Sequence, residues 1–199
     1  MVRPPTAIKS VKWLDAALGR SKETKPNLDS LFALPDAAVT LEAALSVRPT
    51  GRGAVCFRAA EGTAFSAVQG DLQQLLDADG GPKVEVSTDA YGFTWLLVRH
   101  DQEELPALVT ELHAVNSTLQ DNGFAPALLC SLVGFEAQGD RPVGLVYLYK
   151  RGTFYPFAPT GPEQRDTALE LQVRAAVGAD LPVEADLARW FPVWGAPGL

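Results

Sequence analysis

The chain has little of the residue types from which most catalytic and metal sites are built. Its 199 residues include only two cysteines, two histidines and one methionine. His100 and His113 are too few and too far apart for a histidine-rich metal site, and Cys56 and Cys130 lack metal-ligand spacing. We therefore expect no metal and no cofactor. Each cysteine lies in an apolar run, which predicts two buried, free thiols.

Catalytic sequence motifs are also missing. The sequence has no phosphate-binding loop, no dinucleotide-binding glycine motif, no nucleophile elbow and no zinc-protease motif. Because triads are recognised by geometry, His100 and Asp101 with some serine leave a dispersed catalytic site open. The simpler expectation is a solvated His100 at a strand end and a hydrogen-bonded His113 at the edge of the core. We predict a protein that is not an enzyme, with a hydrolase of dispersed active site as the alternative.

Long apolar runs and an excess of positive charge are absent as well. No segment approaches the roughly 18 consecutive apolar residues of a membrane span, and the start lacks the apolar stretch of a signal peptide. This predicts a cytoplasmic protein. The net charge of −7 argues against a nucleic-acid partner, because binding to phosphates needs a basic face. With 47% hydrophobic and 21% charged residues, the composition is that of a globular protein.

The charge that is present is unevenly distributed. Residues 1–26 carry six basic and two acidic side chains, a net +4, which leaves −11 for the rest. Apolar residues at steps of three and four predict an amphipathic helix over 7–19. Such a basic helix with a tryptophan can lie on an anionic membrane, for instance the inner membrane face, or pack on the protein itself. The candidate membrane-surface residues are Lys9, Lys12, Trp13 and Arg20.

The rest of the chain, residues 27–199, reads as one α+β domain. Apolar spacing predicts helices ending at Leu45 and over 65–76, 103–119 and 163–178, with Asp36 as a cap of the first. Predicted strands cover 54–58, 83–88, 93–99, 128–136 and 143–150. The order of these elements lacks the strict alternation of a parallel sheet. It predicts a single, mainly antiparallel sheet with helices packed on it.

The sequence supports more specific predictions for two segments of this domain. The hairpin over 128–150 should be central, with Leu132, Leu145 and Tyr147 buried. The stretch 153–159 is aromatic and rich in proline, which is typical of an edge strand or an ordered loop.

The C-terminal tail, defined here as residues 184–199, carries three large aromatic side chains within five residues. Trp190, Phe191 and Trp194 are candidate partner-binding residues, because aromatic anchors are common in binding hot spots. The alternative is a tail folded back onto its own core. We expect Trp190 and Phe191 to pack on the domain, and Trp194 with the last five residues to be more exposed.

Four long blocks carry a family resemblance: KPNLDSLFALPDAAVTLEAAL, LLCSLVGFE, VGLVYLYKRGTFYPFAP and DLARWFPVWGAPGL. They resemble the PspA-associated protein of the PspAB type, found chiefly in actinobacteria. The resemblance implies a cytosolic accessory of the phage-shock response, which protects the inner membrane through the coiled-coil protein PspA. It implies a protein partner, PspA or a neighbouring membrane-stress protein, and no catalytic residue. The order of elements also resembles the YbjN and type III secretion chaperone-like fold, which adds a chaperone-like peptide-binding protein to the alternatives.

Overall fold

A computed structural model of the chain describes residues 26–58 and 84–199, together with Gly70. The helices within these ranges are α1 (Leu34–Leu45), α2 (Leu105–Leu119) and α3 (Thr167–Val177). The strands are β1 (Arg48–Arg58), β2 (Glu85–Thr88), β3 (Phe93–Arg99), β4 (Leu128–Ala137), β5 (Arg141–Leu148), β6 (Thr153–Phe157), β7 (Pro159–Gly161) and β8 (Gln164–Arg165). The predicted helices over 7–19 and 65–76 lie outside the described residues.

Six of these strands form one antiparallel sheet in the order β2-β3-β1-β4-β5-β6, while β7 and β8 form a small separate ribbon. All five pairings of the large sheet are antiparallel. The predicted α+β fold with one antiparallel sheet is therefore confirmed. The β4–β5 hairpin turns at Gly139 and Asp140, which both have positive φ, and glycine and aspartate are among the residues that tolerate this conformation best.

Strand β6 confirms the prediction for the proline-rich stretch, because it forms one edge of the sheet. Pro156 cannot donate a backbone hydrogen bond, and an edge strand is one of the places where that loss is tolerated. The chain then returns along this edge. The Phe154 N–H donates to the Pro182 carbonyl at 2.8 Å, and the Glu184 N–H donates to the Phe154 carbonyl at 2.7 Å. The tail therefore starts on the outer side of β6.

Strand β1 lies inside the sheet and is longer than predicted. Pro49, Gly51 and Gly53 read as a turn in the sequence, yet β1 runs through them with a register shift between Pro49 and Gly53. Gly51 has φ +72°, and a Cβ there would overlap the carbonyl oxygen of His100. The glycines thus permit a bend within a strand rather than ending one.

One face of the sheet packs against the helices and holds the larger core. Leu145 and Tyr147 are buried in it, as predicted, whereas Leu132 is buried on the opposite face. Asn116 of α2 donates from Nδ2 to Ser131 Oγ of β4 at 2.8 Å, so a buried hydrogen bond also joins helix to sheet. The core side chains that the helices contribute include Leu34, Leu41, Leu108, Val109, Leu112, Val115, Leu169, Val173 and Val177.

Two helix starts differ from their predictions. α1 begins at Leu34 with Pro35 in its first turn, where a missing N–H costs nothing, and Asp36 follows inside the helix instead of capping it. α3 begins at Thr167 rather than at residue 163, because the β7–β8 ribbon intervenes. Its cap is Asp166, whose Oδ1 accepts from the Leu169 N–H at 2.9 Å.

Candidate binding pocket beneath the C-terminal tail

The sheet face opposite the helices is also apolar, and the C-terminal tail covers it. Buried tail residues Trp190 and Ala196 join the cluster on this face, and Val193, Trp194 and Leu199 pack against it. An apolar sheet face left in water would lose the stabilisation that burial provides. The sheet residues of this second core are Ala54, Cys56, Trp95, Leu97, Cys130, Leu132, Val146, Tyr155 and Phe157.

The tail is anchored first at Glu184, whose side chain is almost fully buried. Its carboxylate accepts hydrogen bonds from the Arg151 guanidinium, from the Thr153 hydroxyl at 3.0 Å and from the Asp186 N–H at 3.1 Å. Burial alone would raise the pKa of this carboxyl. The hydrogen bonds outweigh burial and hold the pKa of Glu184 below its usual value. The bond from Arg151 has the largest lowering effect among them.

Trp190 is the second anchor and is only 6% exposed. Its indole Nε1 donates to the Glu184 carbonyl at 3.0 Å, and its ring stacks on Tyr155 with 6.2 Å between centroids. The Arg165 guanidinium donates to the Trp190 carbonyl at 2.9 Å. The indole N–H of Trp190 is thus hydrogen-bonded and its ring is packed, which fixes the position at which the tail reaches the sheet face.

The last residues of the tail lie in a shallow groove made by two glycines. Gly134 of β4 and Gly144 of β5 are directly opposite each other. A Cβ on Gly134 would overlap the Gly198 carbonyl oxygen, and one on Gly144 would lie 3.1 Å from Leu199 Cδ2. The missing side chains let the tail backbone approach the sheet closely.

An apolar pocket of about 480 Å³ lies between the middle of the tail and the sheet. This volume falls in the range of small-ligand sites, roughly 300–1,000 Å³. Cys56 and Cys130 line it on the sheet, and Tyr91 and Phe191 are its exposed aromatic residues, with 62% and 57% of their surfaces accessible. The remaining lining residues are Asp89, Phe93, Trp95, Leu129, Leu148, Tyr155, Pro192, Val193 and Trp194.

Asp89 is the one carboxylic acid in this lining, and three hydrogen bonds hold its side chain. Its carboxylate accepts from Trp95 Nε1 at 2.9 Å, from the Phe93 N–H at 3.0 Å and from the Tyr91 N–H at 2.9 Å. Burial raises the pKa of Asp89, but these bonds outweigh it and the net pKa is lowered. The carboxylate therefore stays charged, holds the β2–β3 turn and orients the Trp95 ring.

The other polar side chains that the sheet contributes to the pocket are Tyr155 and the two cysteines. The Tyr155 hydroxyl donates to the Phe191 carbonyl at 2.7 Å, and burial raises its pKa. Both cysteines are almost fully buried. The lining is mostly apolar, which favours the entry of an apolar group.

The three aromatic residues predicted from the tail have different positions. Trp190 is buried as expected, but the expectation for Phe191 is wrong, because its ring is mostly exposed. Trp194 is half-buried, with its ring edge-on to Phe157 at 4.9 Å. The last five residues were expected to be exposed, yet Ala196 and Gly198 are buried in the groove.

Several pocket residues were missed by sequence reasoning. Phe93, Trp95 and Leu97 alternate along β3 and so share one sheet face, while Leu96 and Val98 are buried on the other. An uninterrupted apolar run of this kind is typical of a strand buried on both faces. That signal was available in the sequence. The position of Asp89 and Tyr91 against the tail was not, because it depends on a contact between distant segments.

The remaining candidates lie elsewhere. Lys9, Lys12, Trp13 and Arg20 fall outside the described residues. Cys56 and Cys130 are free and buried, as predicted.

Neither histidine lies in the pocket. His100 is largely buried rather than solvated, with Nε2 3.0 Å from Glu111 Oε1 and Nδ1 3.4 Å from Glu104 Oε2. Two glutamates therefore occupy the positions that a serine and an aspartate would take in a triad. His113 is half-buried, and its Nδ1 lies 3.4 Å from Ser117 Oγ, in keeping with the predicted hydrogen bond at the core edge.

The described residues contain neither a metal cluster nor a membrane-spanning helix. Within 26–58 and 84–199, no group of three or more histidine, cysteine, aspartate or glutamate side chains is placed to hold a metal ion. The helices in the same ranges are all too short or too polar to cross a membrane.

The fold and the pocket define an α+β protein whose sheet carries a helical layer on one face and its own tail, with an apolar pocket, on the other. The family model of PspAB, described as PspA associated protein B, matches residues 11–198. The chain therefore belongs to the PspAB family, and the resemblance of its sequence blocks is confirmed. No curated protein and no solved structure matched the chain, so its likeness to the YbjN and chaperone-like fold stays a prediction.

Proposed function

We propose that this PspAB family member is a non-enzymatic adaptor of the PspA-type envelope stress response that acts by protein-protein interaction. The family description links it to PspA. The single observation that carries a binding role is the apolar pocket with exposed Tyr91 and Phe191. Exposed aromatic rings beside a concave apolar surface are the usual composition of a protein-binding hot spot.

The chemistry of the pocket favours one kind of partner segment. Its lining is mostly apolar, so an apolar side chain is the part that inserts most favourably. The charged Asp89 lies in the lining, and the chain as a whole carries −7. A basic residue next to the apolar anchor would therefore be attracted, whereas an acidic one would be repelled. We assign the contact to Phe191, Trp194 and the facing Tyr91, with Trp190 as the buried anchor that positions them.

The N-terminal residues 1–26 form a second part of the proposal, as a separate basic segment ahead of the domain over 27–199. Their net charge of +4 and Trp13 support a peripheral contact with anionic lipid at the cytoplasmic face of the inner membrane. An adaptor placed there would meet a membrane-protecting partner. The hydrolase alternative gains no comparable support, because His100 and His113 do not line the pocket.

A binding titration with purified PspA from the same host tests the adaptor role. Phe191→Ala and Tyr91→Ala remove exposed rings from the pocket, and each should weaken binding by about 30-fold, as expected for a hot spot worth about 2 kcal/mol. Leu187→Ala is the matched control, because Leu187 is an exposed apolar residue of the same tail outside this pocket. It should bind like the original chain.

Two results would count against the proposal in different ways. If the unmodified chain does not bind PspA, directly or in the presence of anionic vesicles, the adaptor role towards PspA is wrong. If it binds, but both pocket variants bind as tightly as Leu187→Ala, the function stands and the pocket is not its contact surface.

A further inference from the structure

The two cysteines of the chain are direct neighbours across the sheet. Cys56 of β1 and Cys130 of β4 are register partners, and both side chains belong to the cluster on the tail side of the sheet. Opposed residues of an antiparallel pair have Cα atoms about 4.5–5.5 Å apart, and disulfides span about 4.4–6.8 Å. The pair can close into a disulfide with little movement of the backbone.

The apolar pocket gives access to these sulfur atoms. Both cysteines line it, although Cys56 is only 3% and Cys130 only 7% exposed. A charged reagent would have to shed its water to reach them along a lining that is mostly apolar. An uncharged, apolar reagent does not have this cost.

We propose that Cys56 and Cys130 form a dithiol site that an apolar organic hydroperoxide entering the pocket oxidises to a cross-strand disulfide. This role is additional to the adaptor function and does not depend on it. The modification site is the floor of the pocket, and the reagents that it admits are uncharged and apolar.

The order of the two sulfur atoms follows from their surroundings. The neighbouring Cys130 thiol, and after it burial, raises the pKa of Cys56, so Cys56 is the thiol that keeps its proton. Cys130 is also the more exposed of the two. Cys130 is therefore the sulfur that attacks, and Cys56 is the one that resolves the intermediate.

The reaction balances without a further reagent. Cys130 gives its proton to water, and its thiolate attacks the outer oxygen of the hydroperoxide, so the O–O bond breaks and the alkoxide takes up a proton to leave as an alcohol. The Cys130 sulfenic acid then reacts with Cys56: an S–S bond forms, the S–O bond breaks and water leaves with the Cys56 proton. Two thiols and one hydroperoxide yield one disulfide, one alcohol and one water.

The test compares cumene hydroperoxide with glutathione disulfide, a charged oxidant, on the folded chain and on the chain unfolded in urea. Thiol loss is followed by titration, and the product is identified by mass spectrometry and non-reducing electrophoresis. We expect the folded chain to lose both thiols to cumene hydroperoxide, to lose two hydrogen atoms in mass and to stay monomeric. Each oxidant has a ratio between the rate of thiol oxidation in the unfolded chain and the rate in the folded chain. This ratio should be at least about tenfold larger for glutathione disulfide than for cumene hydroperoxide.

Single serine variants test the order of attack, and both are first checked for a native circular dichroism spectrum. In Cys56→Ser, Cys130 should form a sulfenic acid that dimedone traps, whereas Cys130→Ser should give little or no adduct. The proposal is overturned if the folded chain keeps its thiols, if the disulfide forms between two chains, or if folding protects equally against both oxidants. Equal trapping in the two variants would refute the assigned order.

Discussion

Substitution of one glycine by alanine should measure how firmly the tail is held against the sheet. Gly134 lies in the groove beneath the end of the tail, and a Cβ there would overlap the Gly198 carbonyl oxygen and lie 2.7 Å from Thr50 Oγ1. The carbonyl belongs to backbone and must move by about 1 Å to restore an ordinary contact. Gly134→Ala should therefore lift the end of the tail while the sheet itself remains intact.

The cost of this change has an upper limit, because the last residues can leave the groove. Leu199 is half-buried, and full burial of a leucine side chain is worth about 1.5–3 kcal/mol, so its partial loss costs about 1 kcal/mol. Strained packing before the tail gives way adds to this, while alanine lowers the entropy of the unfolded chain by about 0.4–1 kcal/mol in the opposite direction. We expect a net loss of about 1–2 kcal/mol.

Thermal and urea unfolding followed by circular dichroism measure this loss. For a chain of this size it corresponds to a fall in Tm of about 2–8 °C. Gly144→Ala is the matched control on the neighbouring strand, because its Cβ would meet only the flexible ends of Leu132 and Leu199. Its cost should be clearly smaller.

A double-mutant cycle with deletion of residues 198–199 isolates the contact. In the shortened chain, Gly134→Ala should cost less, since the carbonyl that it displaces is gone and the short contact with Thr50 Oγ1 remains. The reasoning is refuted if Gly134→Ala is no more destabilising than Gly144→Ala, or if the deletion leaves its cost unchanged.

Four further outcomes follow from the same structure. Leu145→Asp should abolish soluble expression, because it places an unpaired charge in the core; a soluble variant that melts cooperatively would contradict this. Glu184→Gln should destabilise the chain by about 2 kcal/mol near neutral pH. Since the folded pKa of Glu184 is lowered, its stabilisation is present above the unfolded pKa and fades as pH falls through the folded one, so urea unfolding should show the two chains converging in acid; a constant difference would refute the assignment. Trp190→Ala should lower stability by about 3–5 kcal/mol and Trp194→Ala, whose ring is half-buried, by less, and the reverse order in thermal unfolding would show that the anchors are misassigned. Deletion of residues 1–20 should remove co-sedimentation with anionic vesicles, and equal binding before and after deletion would refute the membrane contact.

The elements of the fold were largely predictable because their signals are local. The apolar spacing of α2 and the predicted strand over 93–99 agree with the structure to within a few residues. The proline-rich stretch indicated an edge strand or an ordered loop, and β6 is an edge strand. Local signals misled where a residue type has two uses: Gly51 permits a bend inside β1, although glycine and proline in that stretch are also typical of a turn.

The candidate site was predictable only in part. Its aromatic tail residues were identified from composition, but composition does not say which ring faces the sheet. That choice depends on where Glu184 and Trp190 anchor the tail. Their partners are Arg151, Thr153 and Tyr155, which lie in β6 or in the turn before it. Asp89 and Tyr91 were missed for the same reason.

Local sequence patterns were enough to establish the α+β class, the antiparallel sheet, the free and buried thiols and the family, since periodicity, turn residues and long specific blocks are properties of short stretches of chain. Three-dimensional contacts were needed to establish that the tail covers the second sheet face, that Gly134 and Gly144 receive its end, and that Cys56 lies opposite Cys130 at the floor of a pocket. These features depend on the register between strands far apart in the chain. A shift of one residue in that register would turn each of these side chains to the other face, and no local pattern encodes it.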